Sequence, residues 1–270
     1  MLWKRVATAA VLLPVLFASI LYGKGQPYGW PFLLVAFAAA ALCSFEFFRM
    51  FLPGARDLAG GVLLAMAVFL GGALLPWALV LPNVLLCVLL AAFHALAGEA
   101  GAEEKMRKGA TLVLGSVYVG GLLATYPRTL FLPRGEHWVL LGILAVSAGD
   151  TAAYFTGRAI GKRKLAPAVS PNKTLEGAIG GLLGSVLCAA LYAHGFLPAI
   201  PLGYAAAAGG AVGVFGQGGD LVESLMKRAA GVKDTGTLFP GHGGVFDRAD
   251  GILAAGPALY LLAALSPVSG

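Results

Sequence analysis

Charge is what this sequence has least of. Only 12% of its 270 residues are Asp, Glu, Lys or Arg, against about 25% in ordinary soluble domains, which excludes a water-soluble globule. Cysteine is scarcer still. Cys43, Cys87 and Cys188 are odd in number, sit inside apolar runs and show no CxxC spacing. They indicate neither a zinc site nor a disulfide framework and read as packing residues. There is no repeat of fixed period, and no low-complexity tract beyond the Ala/Leu/Gly bias of apolar helices. What fills the chain instead is hydrophobic sequence, 59% of it, with mean hydropathy +0.83. A membrane-spanning helix takes about 20 such residues, so there is room for many. The net charge of +6 would point to nucleic acid in a soluble protein. In an apolar one, basic residues retained on the cytoplasmic side explain it, and no nucleic-acid partner is expected.

The apolar runs cover roughly 6–23, 30–50, 58–75, 77–97, 109–126, 137–158, 175–196, 202–219 and 250–266, divided by Gly- and Pro-rich punctuation. They predict an all-α, polytopic integral membrane protein with about nine transmembrane helices. The weakest division is at Pro76, where one kinked helix would serve as well. Lys4 and Arg5 before the first run also fit a signal peptide, but no clear A-x-A site follows, so that run is taken as the first span. With nine spans, sixteen of the 19 Lys and Arg residues fall on one side, leaving Lys24, Arg128 and Arg134 on the other. That asymmetry puts the N-terminus and both large polar loops, 159–174 and 221–248, in the cytoplasm. Small-residue pairs such as Gly180-Gly181 permit close helix contact and carry no functional weight of their own.

Two polar stretches interrupt this pattern. Asp150 lies inside the sixth run, with Tyr154 one turn on; a carboxylate at membrane depth is a functional candidate. Beyond it, Ser170, Asn172, Lys173 and Thr174 gather ahead of an apolar run, at a helix N-terminus whose N–H groups favour anions such as phosphate. In the second stretch Asp220 and Glu223 end the eighth run, and Asp247 and Asp250, spaced i,i+3, open the ninth on one helix face. Charged helix ends with Lys227 and Arg248 as ion-pair partners would explain these carboxylates structurally. Their interleaving with Lys227, Arg228, Lys233 and Arg248 fits phosphoryl chemistry better: a hard oxygen site for Mg²⁺ from Asp220, Asp247 and Asp250, with cations to neutralise phosphate charge. His242 stands in a Pro240-Gly241-His242-Gly243-Gly244 turn, whose glycines allow positive φ and close approach to a ligand. It fits either a phosphate or proton-transfer role or a structural one. His94, His137 and His194 are isolated near segment ends and read as interfacial.

These residues carry a resemblance. Ser224-Leu225-Met226-Lys227-Arg228, Lys233-Asp234-x-Gly236 and Pro240-x-His242-Gly243-Gly244-Val245-x-Asp247-Arg248-x-Asp250 together resemble the signature of the phosphatidate cytidylyltransferases, or CDP-diacylglycerol synthases. Asp150-Thr151-x-x-Tyr154-Phe155-x-Gly157 and Ser170-Pro171-Asn172-Lys173-Thr174-x-Glu176-Gly177 are similar to a second cluster of that family. The likeness covers about the last 120 residues. Ala249 departs from it, standing where the family has a larger apolar residue, which touches packing and not the metal face.

The resemblance implies CTP plus phosphatidate giving CDP-diacylglycerol and pyrophosphate, the first step toward phospholipids. It implies Mg²⁺ as cofactor, with a second, monovalent cation and a homodimer left open. Asp220, Asp247 and Asp250 would bind metal; Asp220, Lys227, His242, Asp247, Arg248 and Asp250 would form the catalytic group. Asp150, Ser170, Asn172, Lys173, Arg228, Lys233, Gly243 and Gly244 would bind substrate. The expected organisation is N-terminal transmembrane helices over 1–98, a middle amphipathic or transmembrane segment over 99–135, and a C-terminal catalytic transmembrane domain over 136–270. The protein is expected in the cell (inner) membrane, in contact with its lipids, with the active-site loops facing the cytoplasm. A CTP-dependent lipid kinase and, in a different class, a membrane transporter are the alternatives; the CDP-alcohol phosphotransferase motif is absent.

Overall fold

The computed structural model describes residues 2–97, 99–236 and 243–267, and side chains from residue 13 onward. The chain forms helices α1 (Leu2–Gly23), α2 (Trp30–Phe51), α3 (Ala55–Leu74), α4 (Trp77–Leu96), α5 (Ala102–Gly115), α6 (Leu122–Leu130), α7 (Gly135–Ile160), α8 (Leu175–Phe196), α9 (Leu202–Ala229) and α10 (Phe246–Ala264). A π-helical turn, Ser116–Gly121, joins α5 to α6 in one continuous span. The one sheet among the described residues is a two-stranded hairpin between α7 and α8, β1 (Lys164–Ala166) antiparallel to β2 (Ser170–Thr174).

Among the described residues, six helices are long and apolar enough to cross a membrane: Pro27–Phe51, Ala55–Leu74, Trp77–Leu96, Ala102–Leu130, Gly135–Ile160 and Leu175–Phe196. Large apolar side chains stand on their outer surfaces; Leu81 and Phe93 of α4 are 64% and 65% exposed, a costly state in water and an ordinary one in lipid. The three other runs drawn from sequence are helical too. The apolar part of α1 described here, Leu13–Gly23, is short; α9 is dominated by Gly and Ala, and α10 opens on Asp247, Arg248 and Asp250.

Pro76 does divide two helices. It is the N-cap of α4, after α3 has ended at Leu74. Arg128 of α6 seals the break. Its Nε donates to the Gly72 carbonyl at 2.5 Å and its Nη2 to that of Leu75, while the guanidinium lies 4.5 Å from the centre of the Trp77 ring. The last carbonyls of α3, which have no partner within the helix, are met in this way. At another edge Asp57 accepts from His94 Nε2 at 2.9 Å and pairs with Lys108 at 2.6 Å, tying the start of α3 and the end of α4 to the middle of α5. His94 is therefore partnered rather than isolated, and so is His137, whose Nδ1 lies 3.0 Å from the Tyr192 hydroxyl.

Two apolar cores hold the helices. One is built on Trp138 and Leu141 of α7 with Ala189, Ala205 and Leu259. The other joins Phe47 and Phe48 of α2 to Met226, Phe246 and Leu253 of α9 and α10, with Ala249 packed against it. The N-terminal helices thus reach the polar end of the molecule directly. Small residues bring α7, α8 and α9 together: a Cβ on Gly181 would come within 2.9 Å of Ala153 Cβ, and within 3.0 Å of both Gln217 Nε2 and the Gly149 carbonyl oxygen.

Candidate active site

The hairpin is held by the helix that follows it. Thr174 is the N-cap of α8, its hydroxyl accepting from Gly177 N at 3.1 Å, as expected of Thr at this position. Glu176 reaches back to accept from Lys162 N at 3.0 Å and Arg163 N at 3.2 Å. Arg228, at the end of α9, donates from Nε to Val169 O at 3.4 Å. These bonds place Asn172 and Lys173 opposite α7 and α9. Between them lies a cavity of about 520 Å³, lined by Asp150, Tyr154 and Arg158 of α7, by Asn172 and Lys173, and by Gln217 and Asp220 of α9. Lys173 pairs with Asp220 across it.

Asp220 also belongs to a second group. Carboxylate oxygens of Asp220, Glu223 and Asp250 lie within 4.8 Å of one another. Glu223 is buried, with Oε1 lacking a hydrogen-bond partner and Oε2 2.7 Å from Lys227 Nζ. Three converging hard donors with an unsatisfied buried oxygen fit a divalent cation such as Mg²⁺. Glu223 stands here in place of the Asp247 named from sequence. Asp247 lies beside the group with both oxygens engaged: Oδ1 is 2.8 Å from Lys227 Nζ, and Oδ2 accepts from Thr235 N at 2.9 Å, Thr235 Oγ1 at 2.9 Å and Gly244 N at 2.8 Å. Lys227 therefore bridges Glu223 and Asp247 instead of projecting into the cavity.

Around Asp247 the backbone is tight. Gly243 has φ of +80°, in the left-handed region that favours glycine. A Cβ on Gly244 would collide with Thr235 Oγ1 and with a carboxylate oxygen of Glu46. That glutamate, on α2, accepts from Val245 N at 3.0 Å, Phe246 N at 2.8 Å and Thr235 Oγ1 at 3.0 Å.

Of the residues named from sequence, Asp150, Asn172, Lys173 and Asp220 line the cavity, Asp220 and Asp250 join the carboxylate group, and Lys227, Asp247 and Gly244 form the network beside it. Ser170 lies at the start of β2, half-buried, outside the cavity lining. Lys233 and Arg248 are exposed near the ends of α9 and α10. His242 falls outside the described residues. Glu223 as a cluster member, Glu46, Thr235 and Gln217 were not singled out from sequence.

The fold and this site define a polytopic, apolar-helix protein with a cavity of about 520 Å³, Lys173 in its wall, joined through Asp220 to a carboxylate group at the helix ends. A profile of the cytidylyltransferase family matches residues 3–266, and the chain belongs to that family. It is 39% identical over 155 residues to the phosphatidate cytidylyltransferase of Bacillus subtilis (strain 168), covering 57% of this chain and 58% of the relative. The enzyme of the same name from Brucella suis biovar 1 (strain 1330) is 46% identical over 134 residues, 49% of each chain. That of Staphylococcus aureus (strain COL) is 46% identical over 133 residues, 48% of this chain and 50% of the relative. The chain spans about half the length of the curated relatives it matches.

Proposed function

We propose that the protein transfers a cytidylyl group from CTP to phosphatidate, giving CDP-diacylglycerol and pyrophosphate. The observation that carries this reading is Asp220, shared between the Lys173 cavity and the carboxylate group. A nucleotide's phosphates in the cavity would reach both. A phosphate oxygen of phosphatidate bonds to the α-phosphorus of CTP, the bond from that phosphorus toward the β-phosphate breaks, and pyrophosphate leaves with the electron pair. The nucleophile is already an anion, so no Ser-His or Cys-His pair is needed. The difficulty is to bring two anions together, which is a task of positioning and charge neutralisation.

Lys173 and Asn172 would hold CTP phosphates, Lys173 exchanging its pairing with Asp220 for phosphate. Asp150, in the same cavity wall as Lys173 and Asp220, would position the basic neighbour or complete the ion site. Lys227 keeps Glu223 and Asp247 together. Ser170, Arg228, Lys233 and Arg248 would draw and hold the anionic substrates at the water edge, and the Gly243-Gly244 turn and, by its place in the sequence, His242 would serve the same substrates. Mg²⁺ held by Asp220, Glu223 and Asp250, beside Asp247, would neutralise charge on the transferring phosphoryl group.

Adding α1, α9 and α10 to the six apolar spans gives nine crossings, with the hairpin and the residues after α9 in the cytoplasm, where CTP is available. Cysteines introduced as Lys162→Cys and Asp234→Cys, in a chain lacking the three native cysteines, should resist an impermeant thiol reagent in intact cells and react once the membrane is opened. Ready labelling in intact cells would reverse the orientation. The activity itself is tested by purified protein in detergent with phosphatidate, Mg²⁺ and CTP labelled either in cytidine or in the γ-phosphate. Cytidine label in lipid supports the transfer. Label from the γ-phosphate would instead indicate a lipid kinase, and solute flux without CTP turnover a transporter.

A further inference from the structure

We infer that Glu46 is a positioning residue for the carboxylate group, acting from the N-terminal half through the first turn of α10 and through Thr235; the inference rests on the metal-dependent transfer proposed above. Glu46 is 5% exposed and is followed by Phe47 and Phe48, which are fully buried. A carboxylate in such surroundings is costly unless its oxygens are well satisfied. It is satisfied by the start of α10, through Val245 N and Phe246 N, and by the Thr235 hydroxyl. α10 has no side-chain cap of its own from Val245. Its N-terminal dipole and orphan N–H groups are met instead by an acid 200 residues earlier in the chain.

The bonds fall immediately before Asp247 and Asp250, so the rotation of α10 about its axis, and with it the direction of Asp250 toward Asp220 and Glu223, is tied to α2. Thr235 adds a second tie. Its Oγ1 is 3.0 Å from Glu46 Oε2 and 2.9 Å from Asp247 Oδ2, and a hydroxyl has one proton to give. The two carboxylates share that donor, and a change at one is felt by the other. Gly236 and Gly244 leave the room in which Glu46 sits, since a Cβ on either would collide with its carboxylate. A cap that served folding alone could be supplied by Ser, Thr or Asp at position 245. This one reaches between the two halves of the chain to the turn that carries the acids.

The test uses the full-length protein in detergent and reads Mn²⁺ binding from the free-ion electron paramagnetic resonance signal, without CTP or lipid. Glu46→Gln keeps the shape but sets an amide against backbone N–H donors. It is expected to weaken Mn²⁺ binding about tenfold, the lower end of what loss of a partner bonded directly to a ligand costs. The Mg²⁺ concentration for half-maximal cytidylyl transfer should rise in parallel, while KM for CTP at saturating Mg²⁺ stays near wild type. Glu46→Asp, charged but shorter, should fall between. Lost folding alone would lower the active fraction and leave the metal affinity of the remainder unchanged. Thr235→Val cuts the shared hydroxyl without touching the α10 cap and should shift Mn²⁺ binding in the same direction, which decides the matter if Glu46→Gln does not fold. Wild-type Mn²⁺ affinity in Thr235→Val and in every folded Glu46 variant, from a wild type that binds Mn²⁺ and makes CDP-diacylglycerol, overturns the positioning role alone. A wild type that binds Mn²⁺ but makes none overturns the proposed function instead, and the variants' Mn²⁺ affinities still decide the positioning role.

Discussion

Asp250→Asn is expected to lower CDP-diacylglycerol formation by more than the ten- to hundredfold, roughly, that follows loss of an outer-shell partner. The amide keeps the size of the carboxylate and can still accept from Gly251 N, which lies 2.8 Å from Oδ1, so the protein should insert and purify as wild type does. What it loses is one of three negative charges whose oxygens converge within 4.8 Å, and a hard divalent cation depends on that charge. Raised Mg²⁺, or Mn²⁺ in its place, should restore part of the rate. The measurement is cytidine label appearing in lipid across a metal titration. A near-normal rate at low Mg²⁺ would falsify the metal role of the group, and with it the centre of the mechanism.

Lys227→Ala is expected to damage stability as well as activity. The lysine lies 2.7 Å from Glu223 and 2.8 Å from Asp247, whose side chains are only 1% and 8% exposed. Removing the single cation between them strands Glu223 and leaves Asp247 with only its neutral donors, and breaking a buried pair from one side costs about 3–5 kcal/mol. The thermal unfolding midpoint in detergent should drop markedly. A second substitution, Glu223→Gln, should recover part of that loss by removing one stranded charge, although activity stays low. If Lys227→Ala unfolds at the wild-type temperature, the lysine does not hold the carboxylates together and is better understood as a free phosphate contact.

Much of the helical layout can be read from hydropathy alone, because lipid forces every backbone polar group into a helix or closed barrel. The run at 175–196 coincides with α8, and those at 30–50 and 77–97 differ from α2 and α4 by one residue. Pattern reading failed where apolar character stops before the helix does. α9 runs on to Ala229 through Asp220, Glu223 and Lys227, and α10 starts at Phe246, ahead of Asp247, because buried partners satisfy those charges. The hairpin of Lys164–Ala166 and Ser170–Thr174 falls inside a stretch whose sequence reads as loop, since short polar strands leave no periodic signal. In the site, the i,i+3 spacing of Asp247 and Asp250 indicated one helix face, but spacing cannot tell which acid has protein donors already on it. Glu46 was legible: the rule that singled out Asp150, a carboxylate in an apolar run, applies to it equally. Its partners, some 200 residues away, were not.

The contact at Gly181 bears on how wide the cavity is. Hydrocarbon tails give helices no reason to shed apolar surface against each other, so α7, α8 and α9 meet by close packing and a few hydrogen bonds, Ser185 Oγ to the Ala145 carbonyl at 2.9 Å and Gln217 Nε2 to that of Ala178 at 3.2 Å. Their separation is set in part by the missing methyl group at that crossing, where Ala153, Gln217 and the Gly149 carbonyl converge. Ala153 and Gln217 also line the cavity, together with Asp150 on α7 and Asp220 on α9. The gauge of the cleft is thus written in a residue that has no side chain and touches no substrate. One added carbon there would wedge the walls apart, altering which ligands span from Lys173 to the acids while leaving every charge in place.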